Sequence, residues 1–164
     1  GNSITAMHGD AEAKENLRQI CIRDEQPTRY WNYVACQMKG SGLEVGCESS
    51  AGVDSAKLNS CVSDPARGVA DAKKDFALND KYNVSGSPTM ILNGTQIDEN
   101  SFGGRSADGV RSMACSGFNT EASFCSTKLN TAAAAVYFSL SYSSSGASGN
   151  ANSGANGANC APAQ

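Results

Sequence analysis

The spacing of apolar side chains predicts helices along the first half of the chain. In residues 11–22 the apolar positions recur about every three to four residues, and Asp10 is a candidate N-cap. A second helix is expected from Thr28, with Trp31 and Met38 on its inner face. Two more helices are expected, and their candidate N-caps are Asp54 and Asp64.

The pattern changes after Tyr82. A turn-rich stretch at 84–88 leads into a short apolar run, and an Asn-Gly pair at 93–94 separates this run from a second one. An Asn-Gly pair between two extended runs is the strongest short signal for a β-hairpin. Glycines at 103–104 then form a turn before a helix that Ser106 can cap. The expected order is therefore helices, hairpin, helix.

Composition separates the tail at 130–164 from the rest of the chain. Charged residues occur as far as Lys128 and are absent after it. Residues 134–142 end in an alternation of apolar and polar side chains, which predicts a half-buried strand. Residues 143–164 are rich in Ser, Gly, Asn and Ala, a composition typical of disordered segments.

The charge distribution excludes two classes of partner. The formal net charge is −3, and no run of basic residues is longer than the pair Lys73 and Lys74. Nucleic acid and anionic membranes need a larger basic cluster, so neither is an expected partner. The longest apolar stretch, residues 132–140, is too short for a membrane span. The chain starts at Gly1 without a signal-peptide pattern, as a processed or partial product would.

Seven cysteines are a high number for a chain of 164 residues. They form no C-x-x-C pair, and the chain has a single histidine, so neither a metal nor another cofactor is expected. Well-separated cysteines favour disulfides and an oxidising compartment, either extracellular or lysosome-like. Two N-x-S/T triplets, at Asn83 and Asn93, are candidate glycosylation sites. The cysteines are Cys21, Cys36, Cys47, Cys61, Cys115, Cys125 and Cys160.

Five side chains near the start of the chain share a pattern, namely His8, Gly9, Glu12, Asn16 and Cys21. This pattern resembles the signature of the interferon-inducible lysosomal thiol reductase family. That signature has cysteines where this chain has Ala6 and Ala13. The likeness covers roughly residues 4–128 and extends to DsbA-type relatives. It also rests on Tyr30, Trp31, Val34, Cys36, Cys47, Cys61, Pro88 and the Asn93-Gly94 pair.

The resemblance implies an α/β, thioredoxin-like fold with a helical insertion, whose N-terminal βαβ part is absent from this chain. The thioredoxin-like domain would cover 1–129, with the insertion at 10–81 and a hairpin and final helix at 84–118. The dithiol of such proteins lies in the absent part, so no catalytic residue is expected. By the same resemblance, Ser87 and Pro88 would form a cis-proline loop.

The cysteines and the histidine are expected to be structural. His8 is interpreted as a capping or packing residue near the first helix. Cys160 remains for a neighbouring chain, for an absent part of the precursor, or as a free thiol. The expected disulfides join Cys21 with Cys61, Cys36 with Cys47, and Cys115 with Cys125, the last two closing short loops.

Two main functions follow as expectations, and a third is a monomeric binding module that uses the loop at Ser87 and Pro88 as a shelf for peptides. A hairpin with an open edge invites a further strand, so the chain is expected to self-associate as a structural subunit of an extracellular assembly or filament. The strand at 134–142 could complete the sheet within one chain or across two. The alternative is a fragment of a secreted thiol-disulfide oxidoreductase, partnered by the missing N-terminal half of its precursor.

Overall fold

A computed structural model describes residues 4–135 of the chain. Most of the expected strand at 134–142, Cys160 and the rest of the tail lie outside the described residues. The chain divides into two compact units, Gly1–Asp80 and Lys81–Gln164.

The first unit is helical. Its helices are α1 (Asp10–Glu25), α2 (Pro27–Gln37), α3 (Glu44–Ala51), α4 (Ser55–Ser63) and α5 (Ala70–Tyr82), with a π-helical turn at Pro65–Val69 before α5. Helix α5 ends just beyond the boundary between the units. The helices expected along the first half of the chain are therefore present.

Short polar side chains start several of these elements. The Asp54 carboxylate accepts the backbone N–H groups of Ala56 and Lys57 at 3.0 Å, which satisfies donors that a helix start leaves free. Asp64 does the same for Ala66 at the π-helical turn. Both expected caps are confirmed. The expected cap at Asp10 is wrong, because α1 begins at Asp10 itself, and its N-cap is Gly9 with φ 95°.

Helix α2 turns a different face to the core than the apolar pattern predicts. Tyr33 and Gln37 are buried, whereas Trp31 is 73% exposed and Met38 is 41% exposed. Tyr33 can be buried because its hydroxyl donates to Glu15 Oε1 at 2.8 Å. The placement of Trp31 and Met38 on the inner face is therefore wrong.

The core of the first unit is built around two disulfides. The bridges Cys21–Cys61 and Cys36–Cys47 join α1 to α4 and α2 to α3. A Cβ atom at Gly68 would lie 2.9 Å from the Cys21 sulfur, so only glycine lets the π-helical turn approach the first bridge. The buried cluster contains Cys21, Ile22, Tyr33, Cys47, Ala51, Val53, Leu58 and Cys61.

The described part of the second unit contains a hairpin and a helix. Strands β1 (Met90–Leu92) and β2 (Thr95–Ile97) pair antiparallel, with Leu92 opposite Thr95. Both residues of the Asn-Gly turn have positive φ, as a tight two-residue hairpin turn requires. A 3₁₀ turn (Glu99–Phe102), helix α6 (Ala107–Ser116) and a second 3₁₀ turn (Ser123–Ser126) follow. The hairpin and the helix capped by Ser106 are confirmed.

The α/β, thioredoxin-like fold is wrong. Within residues 4–135 the chain forms six α-helices and one two-stranded sheet, and it contains no βαβ unit. A βαβ unit needs parallel strands joined by a crossover of about a dozen residues or more, whereas β1 and β2 are antiparallel and meet in a tight turn. The helices expected as an insertion form the body of the first unit instead.

Candidate functional site

The sulfur chemistry of the described chain is structural. Six cysteines form three disulfides, with Cα–Cα distances of 5.5 to 5.9 Å, which suit unstrained bridges. The expectation of structural disulfides is confirmed, and the partners are those expected from the sequence. Cys160 lies outside the described residues.

His8 lies at the start of the first unit and contacts the helix that follows it. Its backbone N–H and its ring Nδ1 both lie within 3.1 Å of Glu12 Oε2. The backbone hydrogen bond from His8 lowers the pKa of the Glu12 carboxyl, which favours the charged acceptor. His8 and Glu12 therefore close the first turn of α1 together. Within residues 4–135 no cluster of His, Cys, Asp and Glu is arranged to hold a metal ion.

Ser87 and Pro88 lie in the second unit, immediately before the hairpin. Their peptide bond is cis. Both side chains are exposed, and Pro88 borders two concave surfaces. The structure thus places the expected proline loop next to β1.

The larger concavity of the second unit is an apolar groove of about 590 Å³. We call it the Met90 groove and define it by Pro88, Met90, Val110, Met113 and Ala134. One wall is the start of β1, and the other is the inner side of α6. On the other side of Pro88, a cavity of about 480 Å³ has a polar wall that includes Gln96, Asp98 and Glu99. The lining of this groove is mostly apolar, which makes it a candidate surface for a partner.

Two glycines allow close packing at the two ends of α6. A Cβ atom at Gly109 would overlap the carbonyl oxygen of Gly104, so α6 starts in direct contact with the preceding turn. A Cβ atom at Gly117 would come within 2.7 Å of Leu92 Cδ1, so the end of α6 lies against β1. Asn93 Nδ2 also donates to the Gly117 carbonyl at 3.0 Å. The preceding turn therefore packs against the start of α6, and the hairpin packs against its end.

Polar contacts hold the chain after α6. Asp108 accepts the backbone N–H of Leu129 at 2.9 Å and pairs with Arg111 at 2.9 Å, and Arg111 also donates to the Cys125 carbonyl. The Leu129 hydrogen bond, helped by Arg111, lowers the pKa of Asp108. Ala134 then donates to the Arg105 carbonyl at 2.8 Å. These contacts place Ala134 at the edge of the Met90 groove.

Strand β1, whose first residue Met90 lines the groove, has one edge that does not face β2. In a two-residue hairpin the pair that flanks the turn, Leu92 and Thr95, exchanges ladder hydrogen bonds. The next pair, Ile91 and Gln96, therefore points its backbone N–H and C=O groups outward. Within residues 4–135 β1 pairs with β2 alone. Sequence reasoning anticipated the open edge but missed the groove, whose walls come from segments far apart in the chain.

Comparisons with known proteins give one weak similarity. No family model matches the chain, and no solved structure matches it. The chain is 29% identical over 133 residues to vacuolar-sorting receptor 3 from Arabidopsis thaliana. The match covers 68% of this chain and 20% of that receptor, so the chain spans about a fifth of the relative's length.

The resemblance to interferon-inducible lysosomal thiol reductases and DsbA-type proteins is wrong. The similarity that the comparisons find is to a segment of a sorting receptor, and the helical fold has no βαβ sheet. Short motifs built on His8, Gly9 and scattered cysteines were not specific enough to identify a family. No helix in the described residues is long and apolar enough to cross a membrane. Three disulfides and the partial similarity to a sorting receptor together are typical of a secretory-pathway domain.

Proposed function

We propose that this chain is a non-catalytic, disulfide-stabilised subunit of an extracellular assembly, which accepts an extended strand from a neighbouring copy at β1. The observation that carries the proposal is that, within residues 4–135, the outer edge of β1 is unpaired and its first residue, Met90, lines the apolar Met90 groove. An added strand would form main-chain hydrogen bonds with Ile91 and bury alternate side chains in the groove.

The disulfides support a structural role. Each bridge stabilises a small domain by about 2–4 kcal/mol, which suits a protein exposed to an extracellular environment. A subunit of this kind needs a stable folded domain and a strand edge that can pair with another chain. The first unit supplies a body with two bridges, and the second supplies the edge and a third bridge.

The sequence also contains a candidate donor. Residues 138–142 alternate apolar or aromatic and polar side chains, which is the pattern that a donated strand needs. They lie outside the described residues, as does Cys160, which could link two chains covalently. A second copy is therefore the partner that the proposal names.

The test uses the two edges of the hairpin as each other's control. Ile91→Pro removes the outward N–H on the β1 edge, and Gln96→Pro removes the outward N–H on the β2 edge. Neither change touches the hydrogen bonds between β1 and β2. We expect wild type and Gln96→Pro to form assemblies visible by electron microscopy and light scattering, and Ile91→Pro to remain monomeric. A monomeric wild type at all concentrations would refute the proposal.

The second candidate is a receptor-type binding module, in which another protein supplies the strand. Its specific support is the similarity to a segment of vacuolar-sorting receptor 3. In that case the wild type would be monomeric and would bind extended apolar peptides on an array, and Ile91→Pro would lose this binding. The same pair of variants therefore separates the two candidates.

A further inference from the structure

We propose that this protein carries one N-linked glycan, at Asn83. The second acceptor, Asn93, stays unmodified because the folded hairpin keeps it from the glycosylating enzyme. The proposal is independent of the proposed assembly. The sequence contains two N-x-S/T triplets, Asn83-Val84-Ser85 and Asn93-Gly94-Thr95. The proposal rests on the difference between their backbone conformations and hydrogen bonds.

Asn83 is presented to solvent on irregular backbone. It follows the last residue of α5, and its φ of 52° turns the chain away from the helix axis. The side chains of Asn83 and Ser85 are both exposed. Neither side chain makes a hydrogen bond to the described residues, so the carboxamide and the hydroxyl are both available to an enzyme.

Asn93 and Thr95 are also exposed, but Asn93 is held in the turn of the hairpin. It occupies the first position of the tight turn with φ 50°, and its Nδ2 donates to the Gly117 carbonyl at 3.0 Å. The hydroxyl-bearing Thr95 belongs to β2 and pairs with Leu92. A transferase would have to open the turn and the first ladder pair to draw this triplet into an extended form. Hairpins form in about 1–10 μs, whereas synthesis adds only about 5–20 residues per second.

The reaction needs a donor that secretory compartments supply, an oligosaccharide linked to a lipid through a diphosphate. Asn83 Nδ2 attacks the anomeric carbon of the first sugar and loses one proton to a base of the transferase. The bond between that carbon and the diphosphate oxygen breaks, and the lipid diphosphate leaves with the electron pair. The product is an N-glycosidic bond, and no oxidation or reduction takes place.

The experiment compares two hydroxyl deletions that leave both asparagines in place, Ser85→Ala and Thr95→Ala. The full chain is secreted from cultured animal cells behind a cleavable signal sequence, and its mass is measured before and after treatment with peptide N-glycosidase. We expect the wild type and Thr95→Ala to lose one glycan mass on treatment, and Ser85→Ala to show no change. The intact mass of each variant with its disulfides formed verifies that it has folded.

Site assignment uses fragment-ion mass spectrometry, because no lysine or arginine separates the two triplets. Removal of the glycan converts the modified asparagine to aspartate. Asn-Gly pairs also deamidate spontaneously, so the untreated chain is the reference for Asn93. Glycan at Asn93, glycans at both positions, or none at either would each overturn the proposal.

Discussion

The hydroxyl of Tyr33 donates to the carboxylate of Glu15 at 2.8 Å, and this contact joins α2 to α1 inside the core of the first unit. The same carboxylate accepts from Arg18 at 2.6 Å and from Gln19 at 3.0 Å. Arg18 in turn pairs with Glu48 of α3 at 2.9 Å. A single polar network therefore connects three helices.

We predict that Tyr33→Phe destabilises the protein by about 1–2 kcal/mol. The substitution removes one donor from a charged acceptor that keeps two others, so the loss is that of one hydrogen bond rather than of the whole network. Chemical denaturation measures it. Tyr30→Phe is the control, because the Tyr30 hydroxyl has no hydrogen bond to residues 4–135, and its effect should be close to zero. Equal effects of the two variants would contradict the role given to Glu15.

A second prediction concerns the ionisation of Tyr33. Burial, followed by the hydrogen bond to Glu15 and its charge, raises the pKa of this phenol. An unfolded tyrosine ionises near about pH 10. The contribution of Tyr33 to stability is therefore complete below that pH and is lost as the pH rises through the raised folded value. Phenolate absorbance should show a late-titrating component that Tyr33→Phe abolishes.

We predict that the two bridges of the first unit differ in their effect on stability. Cys21 and Cys61 are 40 residues apart, and Cys36 and Cys47 are 11 apart. Closing the longer loop restricts the unfolded chain more, by about 1 kcal/mol in the loop-entropy model. Replacing both cysteines of the first pair by alanine should therefore cost more than the same change in the second pair. The midpoints of thermal unfolding compare the two double variants, and the reverse order would show that loop length does not decide the effect.

We predict that Gly109→Ala destabilises the second unit by about 1–3 kcal/mol, as expected for overpacking against rigid backbone. The added Cβ would meet the Gly104 carbonyl oxygen. Gly86→Ala is the control, since a Cβ there has nothing within 4 Å and φ is not positive. Hydrogen exchange of the α6 amides is the measurement, and unchanged protection in Gly109→Ala would contradict the close contact.

Asp108 should titrate below the usual range of aspartate. The Leu129 N–H and Arg111 stabilise its charged form, so its contribution to stability is present above the unfolded pKa and is lost as the pH falls through the folded one. Carboxyl NMR measures the titration. In Arg111→Ala the pKa should rise only part of the way, because the Leu129 hydrogen bond remains. A complete return to the unfolded value would assign the shift to Arg111 alone.

Apart from the disulfide pairs, the features that sequence reasoning found are local ones. Asp54, Asp64 and Ser106 cap elements within three residues of themselves, and the turn at Asn93 depends on backbone conformation that few residues adopt. Helix caps and tight turns depend only on residues close in sequence, so they form in the same way in different folds. They can therefore be recognised without knowing which fold they belong to.

The features that it missed depend on contacts between distant segments. Apolar residues occur on more than one side of α2, and the Glu15 contact decides that Tyr33 rather than Trp31 is buried. The walls of the Met90 groove likewise come from β1, α6 and residues after 130. A hairpin followed by a helix occurs in many folds, so it could not establish the thioredoxin-like fold that the motif around His8 had implied.

The contact between Gly68 and the Cys21 sulfur couples two positions of the chain in evolution. While the bridge to Cys61 is kept, any side chain at 68 would clash with the Cys21 sulfur and with Leu17. No residue other than glycine therefore fits at this position. A Cβ atom at 68 would also lie 3.0 Å from the backbone carbonyl oxygen of Cys61, so loss of the bridge alone would not open this space. We therefore expect natural variants of this chain that keep the cysteine pair to keep glycine at 68 as well.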